Sequence, residues 1–424
     1  MKKVLLVAFQ FPPFKASSGL ERTLALARHL PEFGWEPLVL TARPAAYPAV
    51  SDERLGSIPA GTVVRRAAAL DTARHLALRG RYPGWLALPD RWWSWALSAV
   101  PAGMAMIRQH RPDLIWSTYP ITTAHLIGIT LARASGLPWV ADFRDPMVEF
   151  DAREQCWYPQ QSTLRRMRLA VEAGAVRRAS ALSFCTEGAR AICVDRYPAM
   201  PPSTAHVVPN GFDEDMFSGL ETNPQPRPDG SAVTLVHSGT IYPSPDRDPT
   251  HFLRALARFV SERPPHCRPL RVVLRGSGVD QLYAGLVVEL GLSGCVEFAP
   301  LVDYASALRE MVGADGLLLF QGHTSNPAIP AKLYEYFRAG RPILGLVDSA
   351  GDTAKCLRAE QVGSLAPLDD SERIHAALAE LVLQIEQGRA QGMARDRAAA
   401  FERRTAVRRF AELFDATCSA PRPG

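Results

Sequence analysis

QGHTSNPAIPAKLYEYFRAGRPILGL, residues 321–346, is the stretch whose reading decides the fold. The apolar run Gly316-Leu317-Leu318-Leu319-Phe320 comes just before it. A short apolar run bounded by Gly reads as a parallel-sheet strand buried on both faces. A loop of Gly, Ser, Asn and Pro follows, and Ala331 to Ala339 then has helical spacing, with Leu333, Tyr336 and Phe337 on one face. Gly340 supplies a helix stop, and Arg341-Pro342 leads into a second apolar strand, Ile343 to Val347. Strand, loop, helix, strand is a unit of open α/β sheets, where ligands lie at the carboxyl ends of the strands and helix N-termini receive anions. Lys332 stands in the first helical turn and Glu335 three residues on. A cation beside helix-end N–H groups suits a diphosphate, and a carboxylate one turn deeper suits a pair of sugar hydroxyls. A capped helix with a solvated Lys and Glu accounts for the same residues, and the chemistry alone leaves the two readings level.

The segment Ile329-Pro330-Ala331-Lys332-Leu333-Tyr334-Glu335-Tyr336, with Ala339-Gly340-Arg341-Pro342, resembles the donor-binding segment of GT4-type glycosyltransferases, retaining enzymes of the GT-B fold that use nucleotide sugars. The later acid of the family's Glu-x7-Glu motif matches Glu335, and the earlier one falls on Pro327. The resemblance implies that Lys332 stabilises the leaving diphosphate, that Glu335 binds the ribose, and that Asn326, Ile329 and Pro330 line the donor site.

A chain of 424 residues is too long for one compact core. Its 47% hydrophobic and 21% charged content suits a soluble globular protein. Val4 to Phe9 is too short for a signal-peptide core, and no stretch reaches membrane-spanning length without charges. Seven scattered cysteines without a CxxC pair point to reduced cytosolic thiols rather than zinc or a disulfide framework. A net charge of +5 suits anionic substrates or an anionic membrane surface. No Lys/Arg tract is interleaved with aromatics in the manner of a nucleic-acid binder.

Along the first half, Val4 to Phe9 reads as a buried strand, the loop from Phe11 to Gly19 as a sharp turn, and Leu20 to Leu30 as an amphipathic helix. Phosphate loops occupy this place in Rossmann-like domains, but the absence of GxGxxG disfavours a nicotinamide cofactor. The resemblance assigns Gly19 to the donor diphosphate and Glu21 to the acceptor side; a Gly that merely permits a turn is the plainer reading. From Leu70 to Arg111, Arg74, Arg79, Arg81 and Arg91 are interspersed with Trp85, Trp92, Trp93 and Trp95. That pattern fits a partly buried helix or, alternatively, a contact with a membrane surface or lipid acceptor. The run RPDLIWSTYP, followed by GLPWVADFRDP, extends the resemblance over residues 111–146. Thr118 and Tyr119, at the end of one strand, are acceptor candidates with Asp145. Asp142 and Arg144, at the end of the next, are catalytic candidates, unless they pair with each other and only shape the loop. His125 reads as a packed or solvated helix residue rather than a ligand.

Arg165 to Arg178 is a basic helix, and VVPNGFD, residues 207–213, ends the first half. Asn223 to Gly230, rich in Pro, reads as a linker or surface hairpin. A second strand–helix alternation then restarts, with glycine loops at Gly239-Thr240 and Gly276-Ser277 as donor-side candidates and Arg247 as a further diphosphate cation. The tail from Ala390 to Cys418 is an amphipathic helix with a basic face, which in the resembled fold crosses back to the first domain.

The expected architecture is therefore α/β, of the GT-B kind: two Rossmann-like doubly wound domains facing a cleft, with an acceptor domain at 1–213, a nucleotide-sugar domain at 214–395 and a returning helix at 396–424. The expected activity is retaining transfer of a sugar from a nucleotide sugar to a hydroxyl of a glycan, lipid-linked or small-molecule acceptor. The chain is expected to act in the cytoplasm or at the inner face of the membrane, without metal or other cofactor. A nucleotide-sugar 2-epimerase and a non-catalytic nucleotide-binding scaffold are the rival readings.

Overall fold

The computed structural model describes residues 1–15, 17–220, 231–242 and 244–419; the expected linker at 223–230 lies outside them. The chain divides into two compact units, one of residues 1–210 with the last helix from Arg403, the other Gly211–Glu402. The division falls at Asn210/Gly211, and the last helix joins the first unit from Arg403.

The first unit is built on β1 (Lys2–Val7), β2 (Trp35–Ala42), β3 (Val63–Ala67), β4 (Leu114–Thr118), β5 (Trp139–Arg144), the hairpin β6 (Glu149–Asp151) and β7 (Cys156–Tyr158), β8 (Ala181–Phe184) and β9 (Ala205–Val207). Its helices are α1 (Ser18–His29), α2 (Trp95–His110), α3 (Thr122–Ser135), α4 (Ser162–Val176) and α5 (Glu187–Arg196). Seven parallel strands form one sheet in the order β3-β2-β1-β4-β5-β8-β9. β4 and β5 are buried along their whole length, because helices cover both faces and leave no solvent side for alternating polar residues.

The second unit holds β10 (Val233–Ser238), β11 (Leu270–Arg275), β12 (Val296–Ala299), β13 (Gly316–Gln321), β14 (Ile343–Val347) and β15 (Ser364–Ala366). Its helices are α6 (Thr250–Glu262), α7 (Asp280–Glu289), α8 (Tyr304–Gly313), α9 (Ala331–Ala339), α10 (Asp352–Ala359), α11 (Ser371–Glu386) and α12 (Arg395–Ala398). The sheet order β12-β11-β10-β13-β14-β15 repeats the doubly wound pattern of the first. Both sheets reverse winding beside their first strand, between β1 and β4 and between β10 and β13, and such a switch point opens a crevice at the carboxyl edge. The two Rossmann-like units, each α/β, are those the sequence led us to expect.

The tail is less continuous than its periodicity suggests. α12 gives way to a short 3₁₀ turn over Ala399–Phe401, and α13 begins at Arg403 and ends at Ser419. α13 packs on the first sheet: Phe410 lies edge-on to Trp116 at 6.0 Å, and Phe414 edge-on to Trp35 at 5.4 Å. The hairpin β6–β7 was not foreseen; its strands are three residues each, too short to show an alternation.

In the second unit the chain before α12 crosses the end of α9, where Gly340 takes a left-handed φ of 65°. A Cβ at Gly392 would collide with the Gly340–Arg341 peptide, which is backbone and has no room to withdraw. Gly392→Ala should lower the stability of the second unit by roughly 1–3 kcal/mol, as overpacking against a fixed neighbour does. A urea titration checks this, and the expected result is a lower midpoint at an unchanged slope.

Candidate functional site

The site candidates of the second unit gather where its sheet reverses. β10 ends at His237-Ser238, and Gly239 follows at φ 95°, a conformation open to Gly at little cost. Gly239 donates its N–H to Arg275 O at 2.8 Å, and Ser238 donates its N–H to the Tyr336 hydroxyl oxygen of α9 at 3.1 Å. α9 starts at the same edge. Its N-cap is Pro330, which has no side-chain acceptor, so no side chain caps the first-turn N–H groups. Lys332, in that first turn, reaches back until a Cβ at Gly239 would stand 3.4 Å from its Nζ. Its hydrogen-bond partner among the described residues is His237 Nε2, at 3.2 Å. Burial, with the charge of Arg247 and against that of Glu335, pushes the Lys332 ammonium down to about 7.

Arg247 is held rather than loose. Asp246 accepts its Nε at 3.0 Å and also receives the hydroxyls of Thr324 at 2.9 Å and Ser325 at 2.8 Å. Gly322 donates to Asp246 O at 2.7 Å, and a Cβ on Gly322 would stand 3.0 Å from Asp246 Cα. Asp246 thus joins the loop after β10 to the loop after β13. The two terminal nitrogens of Arg247 have no hydrogen-bond partner among the described residues. Glu335 accepts the Tyr304 hydroxyl at 2.6 Å. Thr240 is exposed, Ile329 and Pro330 are half-buried at the entry to α9, and Ser277 is buried with its carbonyl receiving Ile241 N at 2.9 Å. Gly276 takes φ 59° and sits under Leu301. Asn326 turns toward the β14–α10 connection instead: its Nδ2 donates to Asp348 at 3.3 Å and its carbonyl accepts Asp352 N at 2.8 Å.

In the first unit two candidate carboxylates, Asp142 and Glu21, have partners within the fold. Asp142 does not pair with Arg144. It is fully buried and bound on both oxygens by Arg22, with Nε–Oδ2 and Nη2–Oδ1 each 2.9 Å. Thr118 and Ser183 donate to the same carboxylate at 2.8 and 2.7 Å. Burial alone would raise this carboxyl, but the charge of Arg22 and these hydrogen bonds hold it below the ordinary carboxylate value. Asp142 thus has Arg22 as its cation, and its oxygens are occupied from within. Glu21, expected on the acceptor side, is likewise engaged: Arg54 Nε lies 2.8 Å from it, and Arg403 lies at 3.9 Å.

Arg144 is separate from this pair. A register shift between Asp142 and Arg144 on the β8 side leaves Arg144 at φ 62°, an uncommon conformation for a side-chain-bearing residue. Its guanidinium reaches Ser18 Oγ at 2.7 Å and Tyr119 O at 3.2 Å. A Cβ on Gly19 would meet the ends of the Arg144 and Gln10 side chains, so Gly19 lets these two side chains lie close against the start of α1. Asp145 next to it is half-buried, and its carboxylate has no hydrogen-bond partner among the described residues. Burial raises its pKa, offset in part by Arg144 and Arg22. Tyr119 is buried beside this group.

His125 packs against Phe143 and Trp139 with Ser117 Oγ 2.8 Å from Nδ1, the packed residue that its helix position suggests. The Trp/Arg stretch is divided: Trp95 is fully buried, Trp92 and Trp93 are half-buried and donate their indole N–H to Ala46 O and Leu86 O, and Arg91 grips Asp71, whereas Arg74, Arg79 and Arg81 are exposed. Trp85 is exposed. No helix among the described residues is long and apolar enough to cross a membrane. His237, Asp246, Tyr304 and Arg22 were missed as site-forming residues. Arg22, one turn beyond Gly19, and His237, last but one in its strand, carried a positional signal; Tyr304 and Asp246 carried none.

Residues 19–211 match the family model described as a glycosyl transferase 4-like domain. No curated protein matches the chain. Among solved structures, the chain is similar to a sucrose-phosphate synthase from Thermosynechococcus elongatus, at 16% identity and TM-score 0.65, with 99% of this chain and 100% of that one covered. It is also similar to Anabaena HepE in complex with UDP-glucose, at 16% identity and TM-score 0.62, with 98% and 100% covered. A third likeness, at 12% identity and TM-score 0.61 over 100% and 99%, is to a putative UDP-N-acetylglucosamine 2-epimerase from Listeria monocytogenes. At these identities the likenesses establish the fold.

Removing the charge in Asp142→Asn leaves Arg22 buried without its counter-ion, which should cost about 3–5 kcal/mol of stability. Because the Asp142 carboxyl is depressed in the folded protein, its contribution is present above the ordinary carboxylate range and is lost as pH falls through the depressed value. Denaturant melts of parent and variant at neutral and acid pH check both. The expected pattern is a large difference at neutral pH that narrows in acid.

Proposed function

We propose that this chain is a glycosyltransferase of the GT-B fold, its residues 19–211 matching a glycosyl transferase 4-like domain, and that it moves a sugar, with retention of configuration, from a nucleoside-diphosphate sugar to an acceptor hydroxyl. The observation that carries the reading is the arrangement at the second switch point. Lys332, the Gly239 loop, Arg247 and the uncapped first turn of α9 converge there, and among the described residues no carboxylate is bonded to Lys332 Nζ or to the terminal nitrogens of Arg247.

In this reading the diphosphate lies on Lys332 Nζ, the terminal nitrogens of Arg247 and the first-turn N–H groups of α9. Glu335, oriented by Tyr304, binds the ribose hydroxyls. Thr240, Ile329, Pro330 and the Gly276-Ser277 turn line the donor. As the bond from C1 to the leaving oxygen breaks, charge gathers on the phosphate, and cations already in place stabilise that charge more than they stabilise the bound donor. The sugar takes on oxocarbenium character and is attacked on the face the diphosphate leaves, with the departing phosphate oxygen accepting the acceptor's proton. The proposal assigns no metal to the reaction.

On the first unit we assign the acceptor to Asp145, Tyr119 and Arg144 rather than to Asp142, Glu21 or Thr118, whose polar atoms are used internally. A carboxylate that is half-buried and without a hydrogen-bond partner holds a hydroxyl strongly. We take the acceptor to be a glycan, a lipid-linked sugar or a small molecule of surface-polysaccharide or glycoconjugate synthesis. The seven free cysteines support a reducing cytoplasmic setting.

Lys332→Ala should cost roughly 2–4 kcal/mol in kcat/KM, the size of a lost oxyanion donor. Glu335→Gln should weaken nucleoside-diphosphate binding about tenfold through loss of a charge-assisted hydrogen bond. Incubation with UDP-, GDP- and ADP-sugars separates the activities. Transfer needs an acceptor, an epimerase alters the donor without one, and a scaffold leaves both unchanged.

A further inference from the structure

His237 occupies the end of β10 fully buried, its ring tilted against Phe320 at 4.9 Å between centroids. Its Nδ1 lies 3.0 Å from Leu318 O. A carbonyl oxygen only accepts, so Nδ1 carries the proton and Nε2 presents its lone pair. That lone pair faces Lys332 Nζ at 3.2 Å. A second proton on the ring would face the Lys332 donor and the nearby charge of Arg247, and burial, followed by the charges of Lys332 and Arg247, keeps His237 well below its ordinary value. The imidazole is therefore a neutral acceptor over the working range of pH.

The charged groups facing Lys332 are few. Besides His237 on β10 they are Arg247, from the loop after β10, and Glu335, one turn along α9. Glu335 Oε1 is engaged by Tyr304. The neighbouring carboxylate, Asp246, is taken up by Arg247, Thr324 and Ser325. Lys332 Nζ has no carboxylate within hydrogen-bond distance among the described residues. A carboxylate in the place of His237 would hold Lys332 charged and compete with an incoming anion; an imidazole fixes the nitrogen in space without doing either.

We propose that His237 is a positioning residue that anchors Lys332 Nζ beside the Gly239 loop, and that a nucleoside diphosphate bound there supplies the missing counter-charge and draws one proton from solvent onto Lys332. The proposal rests on the reading of Lys332 as the cation for the diphosphate. The balance is simple: the neutral fraction of Lys332, as –NH2, takes a proton from solvent to become –NH3⁺, and no other bond changes. Lys332 titrates near 7 in the free site, pushed down by burial and Arg247. A bound diphosphate moves it up, so proton uptake falls between the two values, and in that window binding weakens as pH rises. Below about 7 the ammonium is already formed and the uptake disappears.

The test is isothermal titration of UDP, and of GDP and ADP in parallel, into the full chain near pH 8 in two buffers of different ionisation enthalpy. At that pH a terminal phosphate with a second pKa of about 6 has already lost its proton, so uptake reports the protein. The parent should take up more than about half a proton per nucleotide, and Lys332→Arg, charged throughout, should bind with none. His237→Phe should bind at least about fivefold more weakly, the loss expected of one hydrogen bond, and His237→Gln, which keeps an acceptor, should recover most of it. No proton uptake by the parent, or parental affinity in His237→Phe, overturns the inference. Should His237→Phe fail to fold, the proton count of the parent against Lys332→Arg decides. The underlying reading fails separately: if Lys332→Met binds as the parent does, or none of the three nucleotides binds, the diphosphate assignment falls and this inference with it. If Lys332→Met loses affinity while the parent takes up no proton, only the inference falls.

Discussion

The first unit is organised by one buried ion pair. Arg22 on α1 meets Asp142 on β5, and the same guanidinium donates to Val208 O at 2.9 Å and Pro209 O at 3.1 Å, where the chain leaves the unit. Thr118 on β4 and Ser183 on β8 complete the shell of the carboxylate. Phe410 of α13 lies 4.8 Å from the guanidinium carbon, so the last helix roofs the pair. Two charges can stay in such a place only when every lone pair and N–H nearby is matched. That requirement fixes the relative positions of three strands, the first helix, the exit segment and the tail.

The second unit repeats the topology and reverses the electrostatics. At its switch point Lys332 has no carboxylate within hydrogen-bond distance among the described residues, and Asp246 meets Arg247 through Nε, leaving the terminal nitrogens. A matched pair such as Arg22–Asp142 is finished within the fold, whereas an unmatched one marks the place where a ligand completes it. The same distinction sorts the first unit: Glu21 and Thr118 are satisfied internally, while the Asp145 carboxylate has no hydrogen-bond partner among the described residues and Arg144, bonded to Ser18 and Tyr119, has no carboxylate on its guanidinium. A functional residue is recognised here by what it lacks in the folded chain.

The sequence carried the architecture well. The apolar runs at Val4–Phe9 and Gly316–Phe320 lie inside or overlap β1 and β13, and the helix with its Gly340 stop is α9. Such features are local: strand burial, helical spacing and a left-handed stop are written in neighbouring residues. Residue type and strand-end position were legible for Asp142, but its partner was not. Arg22 is 120 positions away, and only the folded sheet brings it close. Tyr304 and Glu335, 31 apart, and Asp246 and Ser325, 79 apart, were hidden for the same reason. The β6–β7 hairpin was missed because strands of three residues carry no period to read.

The central claim is that a nucleoside diphosphate occupies the switch point of the second unit. Amide hydrogen exchange followed with and without saturating UDP, GDP or ADP tests it most directly, because bound phosphates protect the N–H groups they engage. The account predicts new protection concentrated in residues 237–242 and in the first turn of α9, residues 331–335, with little change along β4, β5 and α1. Protection confined to the first unit, or its absence from the start of α9 under saturation, would contradict it.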